Sequence, residues 1–158
     1  MLLLLFLLGA YLFGAGEGWH EVASFTFNTY CDIDRITTNL CGGLFINDYY
    51  AGNIIFFVGT VMMNTAIMLL SLRLPAKKFT KNQLAILFAN SFIFGFMWYA
   101  YAAFDPVHVG FFFATLLMVI SLGIFFKIRE NWRSYPYIMY SVTGYTLASI
   151  ATLLVRFI

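Results

Sequence analysis

Residues 107–126 read VHVGFFFATLLMVISLGIFF, a stretch without a single Lys, Arg, Asp or Glu. A helix needs roughly 20 apolar residues to cross the hydrocarbon core of a bilayer, and this stretch is typical of such a helix. Residues 51–72, 83–104 and 136–155 are each long enough as well, and residues 1–16 form a shorter apolar segment. The sequence therefore predicts an all-α integral membrane protein, a bundle of about five transmembrane helices.

The composition of the whole chain indicates the same class. Of the 158 residues, 62% are hydrophobic and 10% are charged, whereas a soluble domain carries roughly 25% charged residues. The net charge of +2 is small and no basic run is present, which argues against nucleic-acid binding. Membrane lipids are the expected surroundings, and residues 1–158 are interpreted as a single transmembrane domain.

The first apolar segment has an alternative interpretation as a secretory signal peptide. Residues 1–16 lack the positively charged region with which such a peptide begins. We therefore favour a first helix that is retained in the protein.

Basic residues predict the orientation, because they concentrate in the short cytoplasmic loops of membrane proteins. With the N-terminus in the cytoplasm, the C-terminus lies on the opposite side, and so does the one long connection, residues 17–50. The inner loops then hold seven of the nine basic residues, namely Arg73, Lys77, Lys78, Lys81, Lys127, Arg129 and Arg133. The opposite face receives six of the seven acids, namely Glu17, Glu21, Asp32, Asp34, Asp48 and Asp105.

Residues 17–50 form the predicted outer loop, and two interpretations of their local structure remain open. Their Thr, Phe, Tyr and Ile residues are compatible with a short strand pair, and a helical interpretation is about as good. Cys31 and Cys41 share this face, and in an oxidising compartment their spacing predicts a disulfide. Metal binding by the two thiolates is the weaker alternative, because no CxxC or His accompanies them.

Local signals predict where three of the helices begin. Thr80 is a candidate N-cap for the third helix. Asp105 is expected to cap the fourth helix, with Pro106 at its first position, and Pro136 is expected at the first turn of the fifth.

Both histidines are predicted at the outer surface, close to acidic residues. If the first helix continues past residue 16, the spacings of three and four residues bring Glu17, His20 and Glu21 to one face. Asp105 and His108 lie at the start of the fourth helix. Imidazole and carboxylate ligands suit Zn or Cu. The candidate divalent-metal ligands are His20, His108, Glu17, Glu21 and Asp105. The alternatives are separate headgroup contacts for the two rings and a capping role alone for Asp105.

Neutral polar and small residues mark the expected contacts between helices. Asn53, Thr60, Asn64, Asn90 and Ser91 predict hydrogen bonds between helices, or, less favoured, a polar lining for a small ligand. Small residues four apart allow the backbones of two helices to approach closely. The candidate packing residues are Gly110, Ala114, Gly144, Ala148 and Thr152, within the chain or against another subunit.

The long apolar stretches hold no ionisable residue before their ends, which argues against an ion-coupled pump or transporter. The sequence therefore favours a non-catalytic subunit or assembly component of a larger membrane protein complex, with other membrane subunits as partners. One alternative is a subunit of a membrane-embedded metalloenzyme with its site at the outer surface. The other is a small-solute transporter or adhesion protein that acts through residues 17–50.

Overall fold

A computed structural model describes residues 1–36 and 39–157, which are predominantly helical. The α-helices are α1 (Leu2–Tyr30), α2 (Asn39–Phe45), α3 (Asn53–Arg73), α4 (Lys81–Phe104), α5 (Val109–Ile128) and α6 (Pro136–Phe157). A π-helix (Ile46–Gly52) connects α2 to α3, and single 3₁₀ turns lie at Ile33–Arg35 and Trp132–Ser134. Among these described residues, five continuous helical segments are long and apolar enough to cross a membrane, as the sequence predicts: α1, Asn39–Arg73, α4, α5 and α6.

The chain divides into two compact units. The N-terminal unit consists of Met1 and Leu3–Met63, and the C-terminal unit consists of Leu2 and Asn64–Ile158. The N-terminal unit thus holds α1, α2, the π-helix and the first half of α3. The C-terminal unit holds the second half of α3 together with α4, α5 and α6.

The prediction of a long loop at residues 17–50 is wrong, and the helical interpretation of this stretch holds for the described residues. The first helix continues to Tyr30, and the second helical segment already begins at Asn39. Polar residues near Glu17 do not end α1 because its far half is itself packed: Ala23 and Phe27 are buried. The Phe27 ring contacts the rings of Phe45 and Tyr49, with centroids 6.0 and 5.9 Å apart.

Glycines set the distance between α1 and α3 in the N-terminal unit. A Cβ added at Gly16 would lie 2.2 Å from the Phe56 nitrogen, and one at Gly59 would lie 2.3 Å from the Phe13 nitrogen. A Cβ at Gly9 would come within 2.9 Å of the Gly59 carbonyl oxygen. The two antiparallel helices therefore touch backbone to backbone, an approach that only glycine allows.

Helix starts in the C-terminal unit follow the sequence signals with one exception. Thr80 caps α4 in a capping box, since its hydroxyl accepts from the Gln83 amide at 3.4 Å and its own amide donates to the Gln83 side chain at 2.9 Å. The prediction that α5 begins at Pro106 is wrong, because His108 adopts a left-handed conformation (φ 64°) and the helix begins at Val109. His108 rather than Asp105 is therefore the N-cap, although Asp105 Oδ2 accepts from the Gly110 amide in the first turn of the helix at 2.8 Å.

Helix α6 packs against both α4 and α5 in the C-terminal unit. A Cβ at Gly95 would lie 2.8 Å from the Gly144 carbonyl oxygen, so α4 and α6 approach each other closely at this glycine pair. The hydroxyl of Ser91 donates to the Tyr140 carbonyl at 2.6 Å across the same contact. The five predicted packing residues are all buried: Gly110, Ala114, Gly144, Ala148 and Thr152.

Candidate functional site

A histidine–aspartate pair joins α1 to the π-helix in the N-terminal unit. His20 Nδ1 lies 2.8 Å from Asp48 Oδ1 and 3.2 Å from the Asp48 carbonyl oxygen. Asp48 is only 2% exposed. Removing a carboxylate from water costs several kcal/mol unless it is paired and hydrogen-bonded. His20 is therefore the partner that makes a buried acid tolerable at this position.

The π-helix shapes the backbone around this pair. The wider turn of a π-helix replaces ordinary helical hydrogen bonds, and the side-chain Nδ2 of Asn53 donates to the carbonyls of Asp48 and Tyr49, both at 3.2 Å. Gly52 provides room for α1, because a Cβ there would lie 2.9 Å from the His20 Cα. Such short π-helical segments frequently occur at functional sites.

A second polar contact flanks the pair one residue earlier on each helix. Trp19 Nε1 donates to Asn47 Oδ1 at 3.2 Å, and this contact is exposed. A shallow groove of about 480 Å³ lies beside it, lined mainly by apolar atoms of Gly18, Val22 and Leu44 among others. The polar pairs thus lie at the edge of a mainly apolar surface.

The predicted disulfide is confirmed. Cys31 and Cys41 are bonded, with their Cα atoms 5.7 Å apart, and they close the turn between α1 and α2. The end of the N-terminal unit that holds this bond is called the disulfide end below.

The structure places the five predicted metal ligands in two different units. Glu17, His20 and Glu21 lie on α1, where both acids are exposed. In the other unit Asp105 uses both carboxylate oxygens, accepting from the amides of Val107 (3.0 Å) and Gly110 (2.8 Å). Within residues 1–36 and 39–157, no three His, Cys, Asp or Glu side chains form a group that could hold a metal ion. The full five-residue metal set stays a prediction.

One chemical feature of His20 bears on any ligand at this site. Because Nδ1 faces Asp48, the remaining ring nitrogen Nε2 forms no hydrogen bond with any described residue. A carboxylate on one ring nitrogen fixes the orientation of the ring. The pair can therefore direct one ring nitrogen of His20 towards a hydrogen-bonding group or a metal ion.

Two groups of residues at this site are not identified by the sequence. The sequence places Asp48 in the outer loop with no partner, and it does not distinguish the glycines of α1 and α3 as a packing surface. Comparison with known proteins supplies no further assignment, since no protein-family model, curated protein or solved structure matches this chain.

Proposed function

We propose that this chain is an integral membrane protein that crosses the bilayer five times. The five long apolar helices support this placement, and the positions of the basic residues support a cytoplasmic N-terminus. The disulfide end then faces the opposite, oxidising side, where a disulfide persists.

Labelling of single introduced cysteines tests this orientation. A cysteine at Asp34 should react with a membrane-impermeant thiol reagent added to intact cells, and one at Lys77 should react only after permeabilisation. The reverse pattern would contradict the orientation. The native cysteines are bonded to each other and do not interfere.

We propose further that the chain acts as a non-catalytic subunit or assembly component of a larger membrane protein complex. One observation carries this proposal: the outward face of α1 presents Gly14 and Gly18, four residues apart. A Cβ added at either position would meet no heavy atom within 4 Å among the described residues. The same face continues along the helix with the exposed side chains of Tyr11, Val22 and Phe25.

The reasoning depends on the contrast with Gly9 and Gly16. Those glycines lie on the opposite side of α1, where backbone atoms of α3 leave no room for a Cβ. No described residue requires a glycine at position 14 or 18, although a glycine inside a helix costs roughly 0.8–1 kcal/mol relative to alanine. Small residues four apart are the surface on which another transmembrane helix packs closely. A partner helix therefore explains two glycines that the fold of this chain does not require.

Native size in mild detergent tests the proposal. Gly14→Leu should release the chain from its complex, because a bulky side chain prevents close helix approach. Gly123→Leu is the matched control, since Gly123 is an exposed glycine on α5 that also faces open space. An unchanged complex in Gly14→Leu, or a wild-type chain that migrates as a lone 18.0 kDa protein, would contradict this role.

A metal site at the disulfide end is a second candidate, favoured by the uncommitted Nε2 of His20. A partner subunit would have to complete the ligand set, because the described residues provide no group of three. Elemental analysis of the purified complex tests it: stoichiometric Zn or Cu that is lost in His20→Ala would support the candidate. The transporter or adhesion alternative has no structural observation in its favour.

A further inference from the structure

The outward face of α4 carries a regular stripe of exposed side chains. Ile86, Asn90, Ile93, Met97 and Phe104 follow one another at intervals of four, three, four and seven residues. All five are exposed, and the values for Ile86, Ile93 and Met97 are 63, 63 and 66%. This heptad spacing is the pattern of a helix that pairs with another in a left-handed coiled coil. We call Ile86, Asn90, Ile93 and Met97 the α4 seam.

Asn90 is the residue that lipid alone does not explain. It lies nine residues after the start of α4 at Lys81, which corresponds to about 14 Å along a helix. If α4 spans a hydrocarbon core about 30 Å thick, Asn90 lies near its middle. Polar groups at that depth are costly unless they are hydrogen-bonded.

The amide of Asn90 is only partly satisfied. Its Nδ2 donates to the Ile86 carbonyl at 3.1 Å on the same helix. The part of the chain that the structure describes offers no other hydrogen bond to this side chain. A side-chain amide has two N–H donors and a carbonyl acceptor, so one N–H and the carbonyl oxygen are left for a partner.

A second copy of this chain meets these requirements without any further assumption. Two copies inserted with the same orientation pair their α4 helices in parallel, so identical residues face each other at the same depth. A two-fold interface brings each residue of the seam to its own counterpart. An amide is both donor and acceptor and therefore complements itself. A single Asn in such a seam also fixes the register and the number of helices.

We propose that two copies of this chain pair along the α4 seam, with the Asn90 amides hydrogen-bonded to each other across the two-fold axis. The pairing rests on the membrane placement under Proposed function. It uses a different helix from the Gly14–Gly18 face, which remains open to a different subunit. The larger complex would accordingly contain two copies of this chain.

Cysteine cross-linking in membranes tests the seam directly. Ile93→Cys should form a disulfide-linked dimer on oxidation, because the two Ile93 positions face each other. Phe92→Cys is the matched control: Phe92 is also exposed and at nearly the same depth, but it lies about 100° around the helix from Ile93. Equal cross-linking at both positions, no cross-linking at Ile93→Cys, or a link from that position to a different protein would overturn the proposal.

Energy transfer between labelled copies in lipid vesicles tests the role of Asn90. Asn90→Val should weaken the dimer about threefold to thirtyfold, as expected for loss of an interhelical hydrogen bond worth about 0.6–2 kcal/mol. Asn90→Gln, which keeps the amide, should retain more of the affinity. Since the side chain is exposed, thermal unfolding of the Val variant in a detergent that keeps the protein monomeric should be unchanged, which separates lost pairing from lost folding. An Asn90→Val dimer as strong as the wild type would overturn the proposal.

The results for the two faces are separable. A complex that is sensitive to Gly14→Leu but contains one copy of this chain would refute the α4 pairing and leave the subunit role intact. A homodimer linked at Ile93 with no other protein would support the pairing and refute the role in a larger complex.

Discussion

The close contact between α1 and α3 leads to a prediction in which two alanine substitutions on one helix change stability in opposite directions. The substitutions are Gly16→Ala and Gly14→Ala. Both replace a helical glycine of α1 by the same residue, and they lie two residues apart. Any difference between them therefore reports the surroundings of the added methyl group.

The magnitude follows from the distances at Gly16. Its added Cβ would lie 2.2 and 2.6 Å from the Phe56 nitrogen and Cα, and 2.8 Å from the Gly52 carbonyl oxygen. Favourable contacts between such atoms need about 3.5–4.0 Å, so the helices must separate by more than about 1 Å. All three atoms belong to backbone, so no side-chain rotation relieves the clash. Overpacking of this kind typically costs about 1–3 kcal/mol.

Helix propensity acts in the same direction at both sites. Alanine stabilises a helix by roughly 0.8–1 kcal/mol relative to glycine. At Gly14, where the space is open, we expect this gain alone. At Gly16 the clash exceeds the gain, so the net effect is a loss of up to about 2 kcal/mol.

Thermal unfolding in a detergent that keeps the protein monomeric provides the assay, because assembly then makes no contribution. For a chain of this size, 1 kcal/mol corresponds to a shift of about 2–4 °C in Tm. Gly14→Ala should raise Tm slightly, and Gly16→Ala should lower it by several degrees. If Gly16→Ala is as stable as Gly14→Ala, then α1 and α3 do not pack glycine against backbone and the reasoning fails.

Three further predictions concern other contacts. Cys31→Ser should lower the free energy of unfolding by about 2–3 kcal/mol, measured by unfolding in denaturant. A reducing agent should have no further effect on this variant, and a variant as stable as the oxidised wild type would contradict the prediction. His20→Ala should destabilise the protein more than Asp48→Ala, because it leaves the buried Asp48 carboxylate without the imidazole. The double variant should lose less stability than the sum of the two single losses. Additive losses would show that the pair does not interact. Gly144→Leu should separate α4 from α6 and lower Tm, since even a Cβ at this position would lie 2.8 Å from the Phe94 ring. A Tm equal to that of the wild type would show that the two helices are not in contact at this glycine.

The sequence predicts those parts of the fold that depend on local signals. Apolar stretches predict the long helices, because about 20 consecutive residues without a charge are typical of a membrane-spanning helix. The Thr80 cap follows from a hydroxyl three residues before Gln83, the spacing of a capping box. The disulfide follows from two cysteines alone on one side of the predicted membrane.

The parts that the sequence does not predict depend on where distant residues meet. His20 and Asp48 are 28 residues apart, and nothing in either segment indicates the other. The prediction of the α5 start at Pro106 failed for a related reason: a left-handed His108 is a backbone conformation that neither Asp105 nor Pro106 dictates. Gly14 and Gly16 cannot be ranked from the sequence, because their difference is the presence of α3 on one side of α1.

The position of the disulfide nevertheless predicts which residues of α1 lie opposite which residues of the second helical segment. The disulfide closes a turn between two antiparallel segments that are α-helical for most of their length, and an α-helix advances by 1.5 Å per residue. Residues equally far from the two cysteines should therefore lie opposite each other. Counting eleven residues back from Cys31 and eleven forward from Cys41 pairs His20 with Gly52, and an added Cβ at Gly52 does meet His20.

The same count applies further along both helices. Fifteen residues from each cysteine are Gly16 and Phe56, and twenty-two residues away are Gly9 and Met63; both pairs are in contact. Asp48, four residues before Gly52, lies one helical turn away on the face that meets His20. The register of the whole α1–α3 contact thus follows from a single bond once both segments are taken as helices. The sequence alone does not establish that the described residues of 17–50 are mainly helical. A strand pair or an irregular loop advances by a different distance per residue and gives no such register.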